Sequence, residues 1–492
     1  MIVALLPLDD RPYNLAFVRK VATLAGIETL VPAPADVGHF FSPGKPEKLA
    51  DWLLGLPADV DALIVALDML ACGGLLASRS GEITVDSSIE NLAVLERLRE
   101  ERPDIKILAF DTIIRTSLSA RDTESRRIHR LLHRYSTLVE KVEVVADEAT
   151  VREFQEVVGA IPPESIERYR EVRRRKHAVN RHALELAGAG VIDILHLLME
   201  DVGPEGDKYG VHKSEQVALR RRGRELNLED RLFLHNGTDE GALTLLAHLI
   251  NDIRDSAPSI YVRYSAVDGA SQVATFEDRS IGENIASLVA AVGGVLTDDL
   301  PSADAVLAVH TPYGEPPDID GFVTLIEHDL ARERPLCLID TNTNAADALL
   351  MSSLSRRVAL DELTAYAAWN TACNSLGTGL SQLCARLLRC DDRSEVLNRL
   401  LVIERLLDDY VYESLVRPEV NQSLEESGLN PWDLGCDVSS VTELVAEKMK
   451  EVADERLSPF VRTDFRFAVT LPWPRTFEPS IEVWPGDQGS DA

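Results

Sequence analysis

Carboxylates recur in this sequence immediately after short apolar runs. Asp9 and Asp10 follow Ile2 to Leu8, Asp68 follows Leu63 to Leu67, and Asp111 follows Ile107 to Phe110. Glu200 and Asp201 follow Ile192 to Met199, and Asp239 and Glu240 close a His235-Asn236-Gly237-Thr238-Asp239-Glu240 segment that begins after Leu232 to Leu234. In parallel α/β proteins the loops beyond the carboxyl ends of the strands build the ligand site. Neighbouring strands lie about 4.8 Å apart, so acids on nearby strand ends fall within the roughly 5–9.5 Å carboxyl separation used in glycoside hydrolysis. One carboxyl kept protonated by an apolar or like-charged setting can protonate a leaving oxygen while an ionised partner activates water or attacks carbon. Asp201 and Glu240 are the preferred pair, with Asp239 as substitute. A single acid after a strand serves equally well as a helix cap; what capping does not require is so many of them on one side of a sheet.

Around these acids stand groups suited to hold a polar substrate. Arg11, Arg79 and Arg115 can bind a substrate acid or hold a catalytic carboxylate ionised. Asp9, Asp10, Asn14, Asp68, Asn236 and Tyr264 add acceptors and donors, and Gly73-Gly74 lets a backbone approach a ligand closely. In Ala368-Trp369-Asn370-Thr371-Ala372-Cys373-Asn374, the amides of Asn370 and Asn374 sit at a helix start and Trp369 offers a flat face of the kind that stacks on sugar rings. No GxGxxG, GxxxxGK[ST] or GxSxG pattern occurs, so neither a nucleotide cofactor nor a serine-elbow hydrolase is expected. A divalent ion on His196, His235, His310, Asp9, Asp201 and Asp239 is the alternative; no HExxH or HxH spacing supports it, and His196 inside an apolar run reads as a core histidine. No cofactor is expected otherwise.

These residues need a frame. Over 1–265 the sequence alternates strand-like and helix-like segments, with strands near 2–8, 28–32, 61–67, 105–110, 191–198, 231–235 and 259–264 and a long helical excursion over about 116–188. Such alternation gives a parallel sheet, whether closed as a barrel or open. Residues 266–390 read as a smaller Rossmann- or flavodoxin-like α/β unit with strands near 304–309, 335–340 and 363–366, and 391–492 as a mainly helical region with an extended tail. The fold class is therefore α/β, at a length of 492 residues that exceeds one core.

With 81 acidic against 51 basic residues, the net charge of -30 repels nucleic acid and anionic lipid, so a small molecule, with carbohydrate the leading candidate, is the expected partner. The basic stretches Arg173–Lys176 and Arg220–Arg224 lie in helix-like segments and are expected to pair with nearby acids. The first apolar run is too short for a signal peptide or membrane span, and the six cysteines are dispersed with no CxxC pair, which suits a reducing cytoplasm.

In combination, Pro7-Leu8-Asp9-Asp10-Arg11-Pro12-Tyr13-Asn14, Leu67 to Leu70 with Gly73 to Arg79, Gly237 to Glu240, Ala368 to Asn374 and Leu471-Pro472-Trp473-Pro474-Arg475-Thr476-Phe477-Glu478 resemble the bacterial DUF4127 family, whose function is unknown. The resemblance spans nearly the whole chain and implies a fold but no activity. The chain departs from the family pattern at Asp10, where Glu is frequent, and at Ala368, where Gly is frequent. The expectation carried forward is a hydrolase of small polar substrates, glycoside-like or amino-sugar-like, with metal-dependent hydrolysis and sugar or metabolite binding without turnover as the alternatives.

Overall fold

Unbroken apolar runs mark strands buried on both faces, the condition of a parallel sheet covered by helices. The computed structural model describes residues 1–80, 83–119, 123–203 and 210–486. Its strands are β1 (Ile2–Leu6), β2 (Glu28–Leu30), β3 (Ala62–Ala66), β4 (Lys106–Ile113), β5 (Ile194–Met199), β6 (Leu232–Asn236), β7 (Ser259–Tyr264), β8 (Val295–Leu296), β9 (Ala305–His310), β10 (Leu336–Asp340), β11 (Ala365–Ala367), β12 (Phe465–Thr470) and β13 (Ser480–Pro485). Every residue of β3, β5, β9 and β10 is buried, as their composition requires.

The chain divides into two compact units. In the first, β1 to β6 form an open, all-parallel sheet in the order β2-β1-β3-β4-β5-β6, which settles barrel against sheet in favour of the sheet. The helical excursion is present as Thr123–Val144, Glu148–Ala160 and Pro163–Gly188.

The second unit carries a five-stranded parallel sheet in the order β11-β10-β9-β7-β8. Counted from its own first strand this is 2-1-3-4-5, the flavodoxin-like order, so the strand at 259–264 opens this sheet rather than closing the first. The helix Ala372–Leu388 lies on β10 and is buried from Ala372 to Ala385. Gly379 permits the contact: a Cβ there would stand 2.4 Å from Ile339 Cδ1 and 2.7 Å from Cys337 Sγ. Residues 11–27, between β1 and β2 in sequence, also belong to this unit, where the helix Ala16–Leu24 packs on Ala372–Leu388 and Asp392–Arg405. The C-terminal part is helical through Asp392–Arg405, a π-helical segment Leu406–Val416, Arg417–Glu426 and Val438–Arg456, and ends in the antiparallel pair β12 and β13. All six cysteines are free, and those at 72, 337, 373 and 384 are buried. No described helix is long and apolar enough to cross a membrane.

Candidate functional site

In the first unit the strand-end acids are present, and most are committed to partners. Lys176, on the helix Pro163–Gly188, places its ammonium 2.5 Å from Asp68 and 2.6 Å from Asp111, with all three side chains almost wholly enclosed. Burial alone would raise Asp68, yet the lysine and the Thr112 N–H and hydroxyl outweigh it and hold that carboxyl low. Asp111, which accepts from Lys176 and the Asn180 amide, is pushed upward by burial. Asp68 therefore sits in a buried charge cluster and not at an open substrate surface. Of the neighbouring basic residues, Arg173 pairs with an acid, Glu215, but inside the protein, whereas Arg175 takes the Ile83 and Ser80 backbone carbonyls instead of an acid.

Arg79 is ion-paired with the buried Glu200, whose second oxygen accepts from the Arg115 backbone N–H. Arg115 reaches the partly exposed Asp201 at 3.5 Å. Asp10 pairs with His39 at 2.7 Å, Asp9 is buried, and Gly73 and Gly74 both have positive φ, Gly73 packing against the Gly44 backbone. Asn236 and Asp239 are buried at the end of β6. Glu240 is enclosed completely; one of its oxygens accepts from the Thr238 N–H at 2.9 Å and the other lies 3.7 Å from His235 Nδ1. Gly237 is required beside it, since an added Cβ would fall 1.7 Å from Glu240 Oε1. Burial, reinforced by Asp239 and Glu277, pushes Glu240 up to about 8, and burial pushes His235 down to about 4.

A carboxyl that keeps its proton to about pH 8 when folded, but loses it in the ordinary carboxylate range when unfolded, contributes stability that is complete below that range and disappears as pH rises toward 8. Glu240→Gln removes this dependence. Relative to the parent, the variant is expected to gain about 1.4 kcal/mol for each pH unit between 5 and 8. Unfolding curves of both proteins across that interval check this, and parallel curves contradict it.

The histidines do not assemble with acids as a metal site. His196 and His235 meet edge to face at 5.5 Å in the first unit, with His196 Nδ1 on the Thr244 hydroxyl, whereas His310 lies in the second unit against Ser265 and Asp347. Among the described residues no group of three or more His, Cys, Asp or Glu is placed to hold a metal ion.

In the second unit, three of the five segments on which the family resemblance rests converge on one narrow cleft lined by Arg11, Tyr13, Trp369, Asn370, Phe477 and Glu478, together with Asn344, Glu413 and Arg417. Asn344 and Asn370 both adopt the left-handed backbone conformation, with φ of 68° and 53°, and the Asn344 N–H donates to the Asn370 carbonyl. Non-glycine residues in that region carry strain that the surroundings must hold. Asn374 stands behind them as a fastener, its side-chain oxygen accepting from the Asn370 amide and the Thr371 hydroxyl. Tyr13 lies flat on Trp369, 3.3 Å between centroids at 6°, so this face of the indole is covered by the phenol instead of being open to a sugar ring. Asn14 is buried, and Tyr264 ends β7 with its Cβ close to Gly269; neither residue is part of the cleft lining.

Beneath Tyr13 the π-helical segment supplies a buried charge network. The phenol lies 3.1 Å from Asp408 and 3.0 Å from Asp409, the Arg405 guanidinium stacks over its ring at 4.4 Å, and Arg405 also pairs with both aspartates. A phenol has one proton and can donate to one acid at a time. Burial pushes both aspartates up against the pull of Arg405, and it raises the Tyr13 phenol as well.

At the cleft wall Glu413 is ion-paired with Arg417, yet burial outweighs that cation and pushes the carboxyl up to about 8. Glu478 differs in its surroundings: Arg475 grips both its oxygens, at 2.9 and 2.8 Å, and stacks over Trp473 and Phe477 at 4.6 and 5.0 Å. Two carboxyls thus face one cleft, one held protonated by burial and one held by a bidentate guanidinium. Of the residues lining this cleft, Arg11, Trp369 and Asn370 are among the site residues expected from the sequence, and Tyr13, Asn344, Glu413, Arg417, Phe477 and Glu478 are not.

Two parallel sheets with flanking helices define an α/β protein. The chain belongs to the DUF4127 family, proteins of unknown function, whose model matches residues 3–482. No curated protein matches the sequence. Among solved structures it has a likeness to GanP, a glucose-galactose binding protein from Geobacillus stearothermophilus, at 11% identity, covering 79% of this chain and 90% of that one with a TM-score of 0.16, a level that carries no argument.

Proposed function

We propose that this protein is a hydrolase of a small polar substrate, glycoside-like or amino-sugar-like, working by acid/base chemistry between Glu413 and Glu478. The observation that carries the reading is the presence on one cleft of two carboxyls in different settings, Glu413 so buried that it is pushed up to about 8 and Glu478 gripped by Arg475. Glu413 protonates the leaving oxygen and Glu478 takes the proton of the attacking water. Arg11, Asn344 and Asn370 supply donors for substrate hydroxyl or carboxyl groups. The space open to the centre of a water molecule is about 10 Å³, that of one ordered water. A sugar ring needs more, so substrate entry must part the cleft wall where Arg417 stacks over Phe477 at 4.7 Å.

The test is a panel of chromogenic glycosides and amino-sugar glycosides assayed with the parent, Glu478→Gln, Glu240→Gln and Asp201→Asn. Turnover by the parent, loss of at least ~100-fold with Glu478→Gln and retention with Glu240→Gln are expected. Loss in Glu240→Gln or Asp201→Asn with Glu478→Gln unaffected transfers the chemistry to the strand-end acids of the first unit and ends the cleft reading.

A further inference from the structure

The first unit holds a second cavity whose chemistry is the reverse of the protein's. Its open volume is about 470 Å³, within the range of small-ligand pockets. The polar groups around it are Arg79, Arg168, Ser80, Ser119, Ser125 and Ser165, with His129, and none of the described lining residues is acidic. In a chain carrying 81 acids against 51 basic residues, a wall whose described residues include two guanidinium groups and no acid marks a place where negative charge is wanted.

The elements that build this wall explain its polarity. Ser125 lies in the first turn of the helix Thr123–Val144 and Ser165 in the first turn of Pro163–Gly188, so two long helices begin at the cavity and bring the positive ends of their dipoles to it. Arg79 is itself more than nine-tenths buried, fixed from behind by Glu200, with one guanidinium nitrogen 3.2 Å from the Ser119 hydroxyl. Arg168 carries no ion pair among the described residues. The rest of the lining is apolar and includes Phe41, Leu76 and Ile128.

We propose that this cavity binds a phosphate group, its carrier resting on the apolar wall. Arg168, the four hydroxyls and the part of Arg79 not engaged by Glu200 and Ser119 offer more donors than the two oxygens of a carboxylate can use, whereas a phosphate presents three terminal oxygens and matches the planar fork of arginine. The site lies within the first unit and does not depend on the hydrolase reading of the second.

Isothermal titration of the full chain with inorganic phosphate, glucose 6-phosphate and glucose tests it, using Arg168→Ala and Ser165→Ala. Arg168 is exposed and Ser165 half-buried, so both variants are expected to fold, which thermal unfolding verifies. Expected are binding of at least one phosphate-bearing probe, none of glucose, a tenfold or greater weakening by Arg168→Ala and a smaller one by Ser165→Ala. Tighter binding of glucose 6-phosphate identifies a phosphorylated metabolite as the source, and tighter binding of phosphate identifies the free anion. If neither probe binds, or if both variants bind like the parent, the assignment is wrong. Glu413→Gln should bind phosphate unchanged, which keeps this result separate from the fate of the cleft.

Discussion

Glu413→Gln is expected to lower kcat by about 10²–10⁴-fold on glycosides with poor leaving groups, the usual contribution of a positioned general acid. Gln keeps the size of the side chain and leaves Arg417 a neutral oxygen acceptor, so KM should change little and the loss should fall on the chemical step. The role also predicts a selective rescue. A dinitrophenyl leaving group departs without a proton, so on that substrate Glu413→Gln should approach the parent, while Glu478→Gln, which cannot activate water, should remain impaired. Comparable losses on both leaving groups would show that Glu413 only shapes the cleft.

Lys176→Met should have the largest effect on stability, a loss of about 3–5 kcal/mol, because removing one partner of a buried ion cluster leaves uncompensated charge. The ammonium is enclosed between Asp68 and Asp111 at 2.5 and 2.6 Å, where no water can replace it. Adding Asp68→Asn and Asp111→Asn to Lys176→Met should restore part of the loss, since a neutral cluster carries no buried charge. Denaturant unfolding of the single and triple variants measures both effects; a single-variant loss below about 1 kcal/mol would mean that the carboxylates do not need the lysine.

Much of the frame was legible because parallel strands buried on both faces leave unbroken apolar runs, and those runs lie where the alternation predicted: β9, β10 and β11 begin within two residues of their expected starts. Allocation of strands to sheets was less so. The strand at 259–264 follows the same alternation as its predecessors, and only pairing with β8 and β9 places it in the second sheet. The cleft was half legible. Arg11, Trp369 and Asn370 stand in unusual local sequences, but Tyr13 reaches Asp408 and Asp409 across sequence separations of 395 and 396, which no local pattern reveals.

One signal for Glu413 was present and unread. Arg405, Asp408, Asp409, Glu413 and Arg417 are interleaved with Leu406-Leu407, Tyr410-Val411-Tyr412 and Leu415-Val416, leaving no polar face for a surface helix. Charges spread around an apolar helix must be buried and paired with one another. Lys176 is the same case inside Arg173-Arg174-Arg175-Lys176, where an apparent solvated run contains three buried cations.

If a protonated Glu413 is the acid of the reaction, the pH profile of kcat/KM on a glycoside that needs leaving-group protonation must report it. Burial holds Glu413 near 8, so activity should fall along a basic limb centred near pH 8, and that limb should be missing from the residual activity of Glu413→Gln. A profile flat to pH 10, or the same limb in the variant, would contradict it.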